Sequence, residues 1–511
     1  METRLQENNL MIGRLSPRWA ICIVFLSNFC VLVLELVAGR LMAPVVGVSL
    51  YTWTSIIGVI LAGISLGNYL GGKIADRWAS RMMLAWLFVL SALASASILA
   101  AMNWIGPLRS LNVPVFVGIV LIFAAVFLFP STILGMISPI VVKLTLADLS
   151  QTGDVVGKIY AAGAVGSIAG TFATGFILIS SFGTRQLVWG VAGGLLLTGA
   201  IISFTTRERR RYAPGIVFLI FLTTSVAVWQ QGWLTSPCFR ETNYFCIKVR
   251  ADQENPDVQI LTLDRLVHSY VDLNDPTNLR YQYERIYAEV VETIFAGGPS
   301  LRALFIGGGG YTFPHFLEIT YPDSRIDVIE IDSGVTEIAH TELGLPRDTS
   351  IRSINEDARR AISNLAPSER YDLIVGDAFN DFSVPYHLTT LQFNQLVAGH
   401  LTEQGIYMIN IIDGKQGAFL RAYVHTLGQV FDHVYVAAVD GKIGDRIRQT
   451  YVIVASRQPL EELAVNPSLT QYFVSPTGLQ TYLREEPAVL LSDDYVPVDN
   501  LLAPVFADSG L

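Results

Sequence analysis

Seven apolar runs fill the first 234 residues and constrain the fold more than any other feature of the sequence. Each run is close to the roughly 20 residues that an α-helix needs to cross a bilayer. Because the lipid interior offers no hydrogen-bond partners, a chain that crosses it repeatedly in this way forms a helical bundle. The first run is too long for a cleavable signal, carries Glu35 and is followed by further runs. The runs are residues 19–38, 52–72, 82–104, 113–136, 158–180, 186–205 and 215–233.

The basic residues between the runs predict the orientation of the chain in an inner or cell membrane. Alternate segments carry three, three, two and four Lys or Arg residues, whereas the segments between them carry one each. Basic loops stay in the cytoplasm, so the N-terminus is expected there. Seven crossings then place the second half outside the cytoplasm. Pro130 and Pro139 interrupt residues 113–142. If this segment crossed the membrane twice, the second half of the chain would be cytoplasmic, but thirty residues are short for two spans.

The two halves of the chain differ in charge. Residues 1–234 contain 15 basic and 7 acidic residues, and residues 235–511 contain 20 basic and 37 acidic residues. The sequence therefore predicts a membrane domain in contact with lipid, followed by an acidic soluble region. That acidity could attract a cationic amine or polyamine, although an acidic region is more often an ordinary solvated surface. No nucleic acid partner is expected.

Two features near the membrane leave alternatives open. Glu35 is the one acid deep in an apolar run, with Arg40 five residues later, and an ionisable residue there is a functional candidate. A structural ion pair is the other explanation. Cys238 and Cys246 follow the last run and could either form a disulfide, which is typical of oxidising compartments, or remain two unpaired thiols.

The stretch LRALFIGGGGYTFPHFLEITYPDSRIDVIEID, residues 301–332, has the pattern of a nucleoside-binding βαβ unit. A predicted strand leads into Gly307, Gly308, Gly309 and Gly310, then a helix, and a second strand that ends in Glu330. Glycines let the backbone approach a ligand, and an acid about 20 residues later suits the two hydroxyls of a ribose. A glycine-rich turn in an α/β domain without a nucleotide is the alternative.

The remaining pattern predicts a multi-domain chain. An all-α transmembrane bundle of about seven helices (residues 1–234) is followed by a small β-rich subdomain (241–280). Residues 281–511 then alternate strand and helix, which predicts a Rossmann-like, doubly wound and mostly parallel α/β domain. In such sheets, ligands bind beyond the carboxyl ends of the strands, where the glycines, Glu330, Asp357 and Asp377 are expected.

The order of motifs in the soluble half resembles spermidine synthase, in particular membrane-fused forms with a transporter-like N-terminal half. The motifs are LTLDRLVHS (261–269), IGGGG, VIEID, NEDAR (355–359), IVGDAFND (374–381) and VPYHLTT (384–390). Residues 67–81, GNYLGGKIADRWASR, likewise resemble the loop between helices 2 and 3 of major facilitator transporters.

The resemblance implies a co-substrate, a reaction and residue roles. Decarboxylated S-adenosylmethionine would give its aminopropyl group to an amine, with Glu330 on the ribose, Asp357 on the adenine amino group and Asp377 as the base. The expected nucleoside-binding set is Gly307 to Gly310, Glu330, Asp332, Glu356 and Asp357. The resemblance implies no metal and leaves room for a homodimer.

The sequence departs from the family pattern at both amine-recognising ends. The family's donor-gripping Asp is Gly310 here, followed by Tyr311, and the second acid after Asp377 is lost unless Asp381 replaces it. Tyr283 and Glu284 are the nearest match to a Tyr-His-Glu motif of the family, and His268 lies near the position of a family Gln. The substrate-binding candidates are Tyr283, Glu284, His268, Asp381 and Tyr311. An S-adenosylmethionine-dependent methyltransferase, and a non-enzymatic polyamine or nucleoside sensor or transporter, are the alternative functions.

Overall fold

The computed structural model describes residues 14–105, 113–146, 152–206, 212–295, 300–378 and 384–509. The chain divides into two compact units, of which the first comprises Met1–Pro237 and the second Cys238–Gly510. We call the first the helical unit and the second the α/β unit.

The described part of the helical unit contains seven helices that are long and apolar enough to cross a membrane, and it is therefore compatible with a multi-pass membrane protein. The helices are α1 (Pro17–Val46), α2 (Leu50–Trp78), α3 (Arg81–Ala101), α4 (Phe116–Thr145), α5 (Thr152–Ser181), α6 (Thr184–Phe204) and α7 (Ala213–Gln230). The segment that contains Pro130 and Pro139 belongs to one of these helices, α4, and is not split into two candidate spans.

Small residues lie where these helices meet. A Cβ atom added to Gly166 of α5 would lie 2.2 Å from the carbonyl oxygen of Phe25 in α1. One added to Gly67 of α2 would lie 2.2 Å from the carbonyl oxygen of Thr132 in α4. Only glycine permits these close approaches, which pack α1 on α5 and α2 on α4. Gly58, in contrast, has no neighbouring atom within 4 Å of such a Cβ.

The α/β unit begins with a four-stranded antiparallel sheet whose strands follow one another in sequence order. Cys246, at the start of the second strand of this sheet, forms a disulfide with Cys238. Of the two alternatives that the sequence left open, a disulfide or two unpaired thiols, the structure has the disulfide. The strands are β1 (Arg240–Glu241), β2 (Cys246–Ala251), β3 (Val258–Leu263) and β4 (Leu266–Asp272).

A seven-stranded sheet in the order β10-β11-β9-β8-β5-β6-β7 forms the centre of the unit. The five strands β7, β6, β5, β8 and β9 are parallel, and β11 and β10 add antiparallel at one edge. The strands are β5 (Arg302–Ile306), β6 (Arg325–Ile329), β7 (Arg352–Ile354), β8 (Tyr371–Gly376), β9 (Leu401–Asp413), β10 (His433–Ala438) and β11 (Gln449–Ser456).

Helices connect and cover these strands. The strand order reverses at β5, which has β6 on one side and β8 on the other, and a crevice forms at such a point. The helices of eight or more residues are α8 (Gln282–Phe295), α9 (Thr312–Thr320), α10 (Ser333–Glu342), α12 (Leu391–Gly399), α13 (Ala418–Leu427), α14 (Pro476–Glu485) and α15 (Val498–Ser509), and the short α11 is Ala358–Ser363. Because both sheets belong to one compact unit, a subdomain boundary near residue 280 stays a prediction.

Candidate active site

The turn of four glycines after β5 contacts both the seven-stranded sheet, to which β5 belongs, and the four-stranded sheet. Gly307 has a φ of 98°, in the left-handed region, and a Cβ there would lie 2.4 Å from the carbonyl oxygen of Asp377. The Gly310 N–H donates a 2.8 Å hydrogen bond to Ser269 Oγ of β4. A Cβ on Gly310 would lie 2.6 Å from Ser269 Cβ, so the present neighbours leave no room for a side chain at this position.

Glu330 lies buried immediately after β6, facing the glycine turn. Its Oε2 accepts a 2.8 Å hydrogen bond from Gly308 N–H, and its Oε1 accepts one of 2.9 Å from Asp332 N–H. Burial raises the pKa of Glu330, and these backbone donors oppose the rise. These backbone donors fix the orientation of the carboxylate, and because each of its oxygens can accept two hydrogen bonds, it retains acceptor capacity for a ligand.

Asp332 has a different environment from Glu330. Its Oδ1 caps α10 by accepting a 2.8 Å hydrogen bond from Gly334 N–H, and its Oδ2 accepts a 2.5 Å bond from Thr242 Oγ1. The side chain lines neither of the two cavities at the strand ends. Its position supports α10 and the contact with the four-stranded sheet rather than direct contact with a ligand.

Asp377 follows β8 at the strand-order reversal. Asn410 Nδ2 of β9 donates a 2.9 Å hydrogen bond to its Oδ1, and Tyr283 of α8 also hydrogen-bonds to it. Burial raises the pKa of Asp377 to about 6, while both hydrogen bonds favour the charged form and limit the rise. A carboxylate of that basicity can accept a proton near neutral pH.

Asp357 caps the short helix α11 at the other side of the crevice. Its Oδ1 accepts a 3.0 Å hydrogen bond from Arg360 N–H, and its Oδ2 lies 2.8 Å from His387 Nε2. Burial acts to raise the pKa of Asp357, but the hydrogen bonds from Arg360 and His387 outweigh it and lower the pKa. Glu356 lies beside it and forms an ion pair with Arg360.

Two cavities meet at the ends of β5 and β8. The larger, of about 120 Å³, extends from the glycines towards Glu330, Glu356, Asp357 and His387, between apolar walls. The smaller, of about 40 Å³, extends towards α8 and the start of α9. They share His268, Gly307, Gly309 and Asp377 as lining residues, so Asp377 stands where one passes into the other.

The smaller cavity is lined by buried polar atoms that lack hydrogen-bond partners within the described part of the chain. They are Glu284 Oε2, Tyr287 OH and Thr312 Oγ1, on side chains at most 6% exposed. Burial, and secondarily the nearby Asp377, raises the pKa of Glu284 well above its usual range. Unpaired buried polar groups are costly, which makes this cavity suited to a ligand that hydrogen-bonds to them.

The structure brings most of the predicted site residues together but separates a few. Tyr311 is fully buried, and its hydroxyl hydrogen-bonds to Thr336 and Ser353 instead of lining a cavity. Asp381 lies outside the described residues. Glu35 and Arg40 lie partly buried on α1, and their role stays a prediction.

Three residues at the site were not predicted individually. His387 lies in the VPYHLTT motif. Asn410 is a polar residue between apolar residues of β9, and a polar residue in a buried strand is a signal that could have identified it. Ser269 ends the LTLDRLVHS motif and fixes Gly310. Among the described residues, no three His, Cys, Asp or Glu side chains are grouped as a metal ion would require.

Comparison with known proteins finds spermidine synthase-like homology over about half of the chain. A probable polyamine aminopropyl transferase of Bifidobacterium longum is 26% identical over 45% of this chain, and the chain spans about half (51%) of that relative's length. Polyamine aminopropyltransferase 2 of Streptomyces coelicolor is 24% identical over 69% of this chain and 66% of its own length. Because the α/β unit is little more than half of the chain, that second match must include residues of the helical unit.

Other comparisons give weaker or different matches. The human eEF1A lysine and N-terminal methyltransferase is 26% identical over 39% of this chain and 28% of its own length. A crystal structure of a probable spermidine synthase from Corynebacterium glutamicum, at 22% identity, covers 49% of this chain and 94% of that chain with a TM-score of 0.44. No family model matches the sequence.

Proposed function

We propose that the α/β unit is a membrane-anchored aminopropyltransferase that binds a decarboxylated S-adenosylmethionine-type nucleoside and an amine. The observation that carries the proposal is the position of Asp377, a carboxyl with a pKa of about 6 at the junction of two cavities. The larger cavity has the groups that a nucleoside needs, and the smaller cavity has buried oxygens without partners that an amine can hydrogen-bond to. The aminopropyltransferase relatives support the type of reaction.

The larger cavity has the chemistry for the nucleoside. Glu330 is held by two backbone N–H groups and offers its remaining acceptor sites to the ribose hydroxyls. Asp357 and Glu356 stand at the far end, where an adenine amino group would donate. The walls between them, formed by residues such as Ile331 and Leu388, exclude water from the purine faces.

The smaller cavity would hold the acceptor amine. Glu284 and Tyr287 present unpaired buried oxygens there, and an ammonium or amine group would satisfy them. An amine with a pKa near 10 is a cation at neutral pH and must lose a proton before it can attack. Asp377 lies on the wall of this cavity and can accept that proton.

The proposed transfer balances as a single displacement. The amine nitrogen forms a bond to the aminopropyl carbon attached to sulfur, that C–S bond breaks, and its electron pair stays on sulfur. The products are the N-aminopropylated amine and 5′-methylthioadenosine. Asp377 takes the proton that the ammonium group loses, and the positive charge of the sulfonium disappears when the C–S bond breaks.

A methyltransferase using S-adenosylmethionine itself is the second candidate, and one observation favours it. The family's donor-gripping acid is Gly310 here, at a position with no room for a side chain, so the repulsion against a donor carboxylate is absent. The similarity to the eEF1A methyltransferase points the same way.

Product analysis separates the two candidates. The purified full chain is incubated with each donor and with diamine, triamine and protein acceptors, and the nucleoside product is identified by mass spectrometry. We expect 5′-methylthioadenosine from the decarboxylated donor with an amine acceptor. S-adenosylhomocysteine from the other donor alone would establish the second candidate, and neither product would refute both.

A further inference from the structure

A crevice of about 750 Å³ lies within the helical unit, between α1, α2, α4 and α5. Its volume falls in the range of small-molecule sites, roughly 300–1,000 Å³. All four helices contribute from the same end of the bundle, the end that the loop charges predict to be cytoplasmic. Most of its lining residues are apolar, and its polar residues include Asp76 and Lys143.

The part of the crevice wall that α4 forms is not a regular α-helix. Pro139 lines it and provides no N–H to the carbonyl of Gly135, another lining residue one turn earlier. The α-helical hydrogen bonding of α4 is also interrupted at Met136, which lies between the lining residues Gly135 and Ser138.

An ion pair lies on the crevice wall. Among the described lining residues, Asp76 of α2 and Lys143 of α4 carry the charges, and their side chains pair at 2.9 Å. They are 73% and 50% exposed, so both remain accessible to a solute. Exposed pairs of this kind are weak, and a ligand can exchange for either partner at little cost.

We propose that this crevice binds a zwitterion, a molecule that carries an ammonium group and an anionic group. Its ammonium would pair with Asp76 and its anionic group with Lys143, and the apolar wall would accommodate the chain that joins them. A zwitterion can pair with both side chains at once, whereas a ligand with a single charge can pair with only one of them. The inference concerns the helical unit and is independent of the proposed transferase activity.

A free amphipathic amino acid and the head group of phosphatidylethanolamine share this chemistry. The full chain is reconstituted in phosphatidylglycerol nanodiscs, and binding of radiolabelled 6-aminohexanoate is measured by equilibrium dialysis. Native mass spectrometry of the chain in mixed nanodiscs measures retention of phosphatidylethanolamine over phosphatidylglycerol. Binding in the first experiment identifies a free solute and selective retention in the second identifies a lipid, and either result supports the proposal.

Two glycines of α2 provide a matched pair of variants. Gly72 lines the crevice and Gly58 does not, and a Cβ at either position meets no atom within 4 Å. Gly72→Phe should therefore fill the crevice without disturbing the fold and weaken binding at least tenfold. Gly58→Phe should leave binding unchanged. Equal binding by both variants would place the ligand elsewhere and overturn the proposal.

Charge selectivity tests the two named partners. The wild-type chain should prefer 6-aminohexanoate to both hexylamine and hexanoate. Asp76→Asn should shift that preference towards hexanoate, and Lys143→Gln should shift it towards hexylamine. If the wild-type chain binds hexylamine or hexanoate as tightly as the zwitterion, or if neither zwitterionic probe binds, the proposal is wrong.

Discussion

Asn410 Nδ2 donates a 2.9 Å hydrogen bond to Asp377 Oδ1 and so connects β9 to the residue that follows β8. This bond favours the ionised carboxylate, whereas burial favours the protonated form and raises the pKa of Asp377 to about 6. The balance leaves Asp377 mostly ionised at neutral pH yet basic enough to accept a proton. Asn410 is thus a positioning residue for the proposed base.

The first prediction concerns the pH dependence of transfer. Activity requires ionised Asp377, so kcat/KM should fall as the pH decreases through about 6. Asn410→Leu removes a hydrogen bond to the charged form, raises the pKa further and should move this acid limb to higher pH. Tyr283→Phe should move it in the same direction. An unchanged limb in both variants would contradict the assignment of Asp377 as the base.

A second prediction separates chemistry from binding at the same residue. Asp377→Asn keeps the size of the side chain but removes the proton acceptor, so turnover should fall by about 10²-fold or more. Binding of 5′-methylthioadenosine should stay within a few-fold of wild type, because the base contacts the amine rather than the ribose. Calorimetry and product formation, measured on one preparation, test both parts. Wild-type turnover in this variant would rule out the role.

The third prediction concerns Glu330 and the ribose. Charge-assisted hydrogen bonds contribute about 1.5–3 kcal/mol each, so Glu330→Ala should weaken 5′-methylthioadenosine binding at least roughly tenfold. Glu330→Gln should also weaken it, because one oxygen that now accepts a backbone N–H would become a donor facing a donor. Unchanged affinity by calorimetry in both variants would refute the ribose assignment.

Local sequence patterns were sufficient to predict much of the α/β unit. The glycine turn, the strand that ends before Glu330 and the strand that ends before Asp377 follow from apolar runs bounded by glycine or acid, and the structure has them. The parallel strands then bring these ends together, because neighbouring parallel strands end at the same edge of a sheet.

Tertiary contacts decided what the sequence could not. Tyr311 follows the glycines and was a candidate for the ligand, but its φ of 57° and its hydrogen bonds to Thr336 and Ser353 direct it elsewhere. His387 pairs with Asp357 across 30 residues, which no local pattern reveals. The acid-to-glycine change at residue 310 is visible in the sequence, but the steric role of Ser269 is not.

The fourth prediction links stability to the acceptor cavity. Burial raises the pKa of Glu284 well above its usual value of 4.5, so folding favours the protonated form. The unfolded chain releases that proton above about pH 4.5, and stability is therefore lost as the pH rises from there towards the folded-state pKa.

Glu284→Gln has no proton to release at this position, so it does not lose this stability as the pH rises. In thermal unfolding of the full chain, the variant should gain stability relative to wild type as the pH rises from 5 to 8, while amine-dependent turnover falls. Glu289→Gln, on the same helix but outside the smaller cavity, is the control and should show neither effect. A stability difference between Glu284→Gln and wild type that does not grow with pH would contradict a buried, protonated Glu284.

The last prediction is the side of the membrane on which the α/β unit lies. We expect it outside the cytoplasm, since the basic loops alternate in favour of a cytoplasmic N-terminus and α4 is one helix rather than two. The Cys238–Cys246 disulfide agrees, because disulfides persist in oxidising compartments.

A fluorescent protein that matures only in the cytoplasm tests this expectation. Fused to the chain truncated after Thr206, between α6 and α7, it should fluoresce, because six crossings return the chain to the cytoplasm. Fused after residue 511 it should remain dark, although the protein is present at a similar level by immunoblot. A bright full-length fusion would mean an even number of crossings and a transferase with direct access to cytoplasmic nucleosides.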